Sequence, residues 1–197
     1  MTDQTPAAPA PDLTATPGQT VGPFYGYALP YPGDNELVPP GSPRAVQLHG
    51  VVYDGAGVPV PDSLIEIWQP DETGTVSRAT GSLRRDGFSF TGFGRCEVDP
   101  EGRFSFSTVN PGPTEDGRPA FISVVVFARG LLNRLFTRAY LPEDAEALAA
   151  DPFLSSLDPA DRDRLIAARE ADGSLRFDIR LQGEDETPFL RFPGHVD

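Results

Sequence analysis

The chain has 197 residues, 39% of them hydrophobic, and its 22 prolines and 20 glycines are scattered among alternating apolar runs. That composition excludes a collagen-like or wholly disordered chain and suffices for one well-buried domain. The formal net charge of −13 and sixteen basic residues, all arginine and without a dense cluster, exclude a nucleic-acid-binding face. In that field a small anionic ligand needs a local cation already in place.

Residues 1–15, beginning MTDQTPAAPAPD, read as a disordered arm, and residues 16–197 as a single domain. The sequence shows no basic n-region with an apolar run behind it and no apolar stretch of about 18 residues. Neither a signal peptide nor a membrane helix is supported, and a cytoplasmic protein is expected. TPGQTVGPFY, residues 16–25, is stiff without being regular. It is either an extended connector, which composition alone favours, or a ledge presenting Gln19 and Thr20 to a ligand or partner.

VQLHGVVY (46–53) alternates as a strand and is followed by the turn residues DGAG, then by a second extended stretch ending in SLIEIWQ. The turn Asp99-Pro100-Glu101-Gly102 precedes RFSFSTV, which places Phe104, Phe106 and Thr108 on one face. RPAFISVVVFARG (118–130) is apolar on both strand faces and is expected to be nearly fully buried, with Arg129 where it leaves the core. TRAYL continues that sheet, and Pro142 is expected to open a short helix. Asp158, Pro159 and Asp161 supply an N-cap, N1 and first-turn acid for a helix reaching about Arg169. SLRFDIRLQ (174–182) alternates as a half-buried strand. Strands dominate, so the expected fold is all-β, a sandwich with a short helical insertion late in the chain.

The chain has two histidines, His49 and His195, far apart in sequence. That spacing proposes no metal cluster and no Ser-His-Asp arrangement. His49 reads as a sheet-surface residue, His195 as a solvated tail residue, and the lone Cys96 as a small buried hydrophobe. No pair of carboxylates is singled out, and no phosphate-binding glycine loop is present. Arg129 has three open readings: a surface ion pair, a solvated loop residue, or a fixed cation at the mouth of a site.

Several stretches taken together resemble the intradiol ring-cleavage dioxygenases. They are TPGQTVGPFY, VVYDGAGVPVPDSLIEIWQPD, FGR at 93–95, STVNPGP, VFARGLLNRLFTRAYL and RFDIRLQGEDETPFL, in order over nearly the whole chain. The resemblance implies a β-sandwich of the intradiol type. It also implies hetero-oligomers in which an iron-bearing β chain pairs with an iron-free α chain to open protocatechuate with O₂, giving 3-carboxy-cis,cis-muconate. Where iron-bearing chains hold non-haem Fe(III) with two tyrosines and two histidines, the matching positions here are Val76, Thr114, Phe121 and Ser123. None of these supplies a phenolate or imidazole, so the resemblance implies that the chain holds no metal, carries a former metal pocket filled by apolar packing, and is inactive alone.

The substrate-binding positions carried over are Thr20, Gly22 and Pro23, with Phe24 in place of an expected tyrosine, and Arg129, which would neutralise the substrate carboxylate. Arg134 and Arg138, in the same hairpin, read as surface or subunit-interface charges. The competing readings are a metal-free β-sandwich binding or scaffold module, and a self-sufficient catechol enzyme, which would require the missing ligands.

Overall fold

The computed structural model describes residue 18, residues 24–78 and residues 85–192. The expected arm, and with it Thr20, Gly22, Pro23 and His195, lies outside the described residues.

Two sheets face one another. In the first, β1 (Val46–Tyr53) runs antiparallel to β4 (Arg103–Thr108) and parallel to two short strands, β8 (Leu175–Arg176) and β9 (Ile179–Arg180). β7 (Ala168–Arg169) pairs with β8 at its far edge. The second sheet has the order β3-β2-β5-β6, all antiparallel, with β3 at Phe93–Glu97, β2 at Ser63–Trp68, β5 at Phe121–Ala128 and β6 at Leu135–Tyr140.

The period-2 alternation decides what goes inside. Leu48 and Val52 of β1 and Phe104 and Phe106 of β4 meet Ile65, Ile67, Ile122, Val124 and Val126 of the opposite sheet in one apolar cluster. Gly50 permits the tight parallel edge: a Cβ there would lie 2.0 Å from the Phe177 carbonyl oxygen, where no side chain fits. The fold is thus an all-β sandwich with short helices. No helix among the described residues is long and apolar enough to cross a membrane.

Three expectations change at element ends. The second helix, α2, spans Ala145–Ala150 rather than starting at Pro142, because the Asp144 carboxylate accepts the Ala147 N–H at 2.9 Å and caps it there. The third, α3, starts at Pro159 as expected but ends at Arg164, and the residues expected to continue it form β7, paired through Ala168 and Arg169 with β8. SLRFDIRLQ keeps its alternation, with Leu175, Phe177 and Ile179 buried, yet it pairs with β1 in two short pieces, and between them the Val51 N–H is donated to the Asp178 carboxylate instead of to a backbone oxygen. A turn of helix that the sequence did not announce, α1 (Tyr25–Ala28), closes TPGQTVGPFY.

His49 lies half-buried on the outer side of β1, its Nε2 3.2 Å from Glu170 and 3.3 Å from Ser174 Oγ. Cys96 is buried and its thiol donates to the Glu97 carbonyl. Burial pushes its pKa up to about 11, so it is an unreactive thiol.

Two outcomes follow. Phe106→Ala leaves a void between the sheets and is expected to cost about 3–5 kcal/mol, read as a lowered urea midpoint of the full chain. Cys96 should resist a disulfide reagent at pH 8 in the folded chain and react promptly in denaturant.

Candidate functional site

The β2–β5 ladder sets the geometry. Ile122, Val124, Val126 and Ala128 point into the core, and Phe121, Ser123, Val125 and Phe127 face outward and are only half-buried. The expected near-complete burial of both faces therefore holds for one. An apolar run that looked like a central strand covered on both sides is covered on its outer side, among the described residues, only at its two ends.

At the Phe121 end the cover is the helical insertion. Tyr140, Leu148, Leu154 and Leu165 form a second apolar cluster against which Phe121 and Phe153 pack, and the Phe121 and Tyr140 rings lie 5.3 Å apart. At the Phe127 end the cover is α1, with the Tyr25 ring 6.0 Å from that of Phe127. Between the covers runs a cross-strand row in which Trp68 stands opposite Ser123 and Ser123 opposite Arg138.

The four positions matched to metal ligands all belong to the first end of this sheet. Phe121 and Ser123 begin β5. Val76 follows β2 and Thr114 precedes β5, and both are exposed. Their loops are tied together: Gly112 donates to the Asp71 carbonyl at 2.8 Å, and buried Gln69 accepts from Thr108 Oγ1 and donates to the Val109 oxygen. A methyl-bearing, a phenyl and two aliphatic hydroxyl side chains do not fit a ferric ion, which takes its stable ligands from imidazole, phenolate and carboxylate. Among the described residues no group of three or more His, Cys, Asp or Glu is placed to hold a metal.

What occupies this region is not purely apolar, contrary to expectation. Arg138, expected as a surface or subunit-interface charge, is half-buried, with its guanidinium carbon 4.3 Å from the Phe121 ring centre and 5.7 Å from that of Phe153. It donates to the Tyr140 hydroxyl at 3.0 Å. Burial raises the Tyr140 pKa against the lowering pull of Arg138, so the phenol stays protonated. Beside it, Arg118 reaches buried Asp151 at 3.3 Å, and Asp151 also accepts the Phe153 and Leu154 N–H groups. The signal for Arg138 was present in the sequence: it shares the outward face of β6 with Phe136 and Tyr140, two residues to either side.

Arg129 lies at the opposite end. It leaves β5 with its N–H bonded to the Asp62 carbonyl at 2.9 Å, and Gly130 at φ 94° turns the chain, a backbone region that favours glycine. The strand rise puts Arg129 about 20 Å from Ser123. Its side chain is exposed and has no partner among the described residues.

The same end carries α1. Arg95 holds it down: Nε and Nη2 both donate to Glu66 Oε1, at 2.9 and 2.6 Å, while Nη1 donates to the Leu29 carbonyl at 2.9 Å. Phe24 and Tyr27 on α1 and Leu132 in the β5–β6 turn are exposed apolar side chains around this end. Thr20, Gly22 and Pro23 immediately precede Phe24 in the sequence.

A family model described as "Dioxygenase" matches residues 22–183. The protocatechuate 3,4-dioxygenase alpha chain of Burkholderia cepacia is 38% identical over 194 residues, covering 90% of this chain and 98% of that one. The beta chain from the same organism is 34% identical, covering 86% of this chain and 80% of its own length. Among solved structures, the dioxygenase domain of a carbohydrate-binding fusion protein from Streptomyces sp. SirexAA-E superposes with a TM-score of 0.52 at 26% identity, covering 86% of this chain and 99% of that one. Matched by the family model over residues 22–183 and by these relatives over 86–90% of its length, the chain belongs to the dioxygenase family.

Proposed function

We propose that this chain is the iron-free α subunit of a protocatechuate 3,4-dioxygenase, and that it completes the substrate site of an iron-bearing β subunit in an (αβ)n assembly. The observation that carries this reading is the separation along β5. The positions matched to metal ligands lie at one end without a donor set among the described residues, and Arg129, whose side chain has no partner among those residues, lies about 20 Å away at the other. Arg129 cannot serve a site at Phe121 and Ser123 of its own chain, so its charge is available to a neighbour's. Near-complete coverage of an α chain also favours an enzyme subunit over a free-standing scaffold module.

On this reading the iron and its oxygen chemistry are the partner's. This chain's residues bind and orient. Arg129 faces the carboxylate that protocatechuate bears away from its hydroxyls and compensates its charge, fixing the ring's angle before reaction. Thr20 adds a hydroxyl, and Gly22 and Pro23 hold the segment close to the ligand. The proposal treats residues 16–197 as one domain and the complex as cytoplasmic, a compartment that suits a chain with no disulfide.

Arg129→Ala in the αβ complex is expected to raise KM for protocatechuate about 10- to 100-fold, the loss of one charge-assisted bond, with iron content unchanged. An unchanged KM in oxygen-uptake assays removes Arg129 from the site. The chain expressed alone should carry well under one iron per chain and show no protocatechuate-dependent O₂ uptake; iron together with turnover would sink the division of labour.

A further inference from the structure

Arg138 is an unusual cation. Guanidinium groups that lie half-buried are ordinarily matched by a carboxylate, and nine arginines among the described residues are so matched or bond backbone oxygens, Arg95 and Arg118 among them. Arg138 is matched by neither. It is stacked between Phe121 and Phe153, one N–H is given to the Tyr140 hydroxyl, and its remaining donors have no acceptor among the described residues. The nearby Asp151 is committed to Arg118 and to two backbone N–H groups. A fixed, oriented, uncompensated positive charge therefore stands in a chain of net charge −13.

Its surroundings have a definite chemistry. Ser123, directly across the strand pair, has a hydroxyl with no partner among the described residues. On the far side of Ser123 stands Trp68, 54% exposed although it belongs to a central strand. Trp68 and Arg138 flank one strand, so their backbones are about 10 Å apart, wide enough for a ring-sized body between an indole face and a guanidinium fork. The shelf offers a bidentate cation, a neutral donor and an aromatic wall, in that order, and no acidic group stands in the row.

We infer that this row is a binding site for a small planar carboxylate of the aromatic-acid type, held by its carboxylate on Arg138 and Ser123 with its ring against Trp68. The site is non-catalytic, lies about 20 Å along β5 from Arg129, and is independent of the iron-bearing partner. Its polarity follows from this chain's own residues: a cation is fixed at the site, so an anion is the guest.

Trp68 is the only tryptophan in the chain and reports directly. Benzoate titrated into the full chain, with excitation near 295 nm, is expected to change Trp68 emission saturably, and neutral benzamide is not. Arg138→Gln should weaken benzoate at least tenfold, and Arg129→Ala should leave it unchanged, which separates this site from the one proposed above. A benzoate response undiminished in Arg138→Gln, an equal response to benzamide, or inorganic phosphate binding as tightly as benzoate overturns the inference, as does the absence of any saturable change. If Arg138→Gln does not fold, Ser123→Val, which keeps the ion between its two rings, should still weaken benzoate several-fold, and calorimetry of that variant decides.

Discussion

The antiparallel ladder between β2 and β5 is the constraint on which the rest depends. Its register puts Ile67 beside Val124 and Ile65 beside Val126 in the core. A slip of one residue would send those side chains to the outer face and bring Ser123 and Glu66 inside, at the cost of burying polar groups without partners. Once that register holds, what emerges at the two ends of β5 is no longer free. Phe121 must emerge under the helical insertion with Ser123 just beyond that cover, and Arg129 must emerge near α1.

This explains why one sheet carries two chemically different ends. The end near Trp68 is closed by short hydrogen-bonded connections, Gly112 to Asp71 and Gln69 to Thr108 and Val109, and is stacked with aromatic rings about a cation. The other is open, with Arg129 and several apolar side chains facing outward. Burial of apolar surface drives subunit association, and exposed aromatic and leucine side chains near an arginine are a surface that the proposed pairing would cover.

Much of this was legible in the chain. Strict alternation in 46–53, 103–109 and 174–182 reports half-buried strands because the pleat has period two, and the structure keeps each alternation. The order of the motifs carries the family. The continuous apolar run of β5 misled, because a run covered on both faces and a run covered fully on one face and only partly on the other look identical in sequence. The helix ends were missed where a local competitor won: Asp144 outbid Pro142 as a start, and pairing of Ala168 and Arg169 with β8 cut α3 short. The setting of Arg138 was legible only in part: the β6 alternation puts it on one face with Phe136 and Tyr140, but Phe121 and Phe153 are distant in sequence and meet it only in the folded chain.

The Arg95 clamp has a thermodynamic consequence. By bonding Glu66 and the Leu29 carbonyl at once, it anchors the start of the described N-terminal segment to a strand of the chain's own sheet, not to another protein. Ordering that segment then costs entropy when the chain folds and not when it meets a partner. In the αβ complex proposed above, an edge preorganised in this way would meet its partner as a rigid surface, with its contacts spent on holding the complex together rather than on shaping the loop.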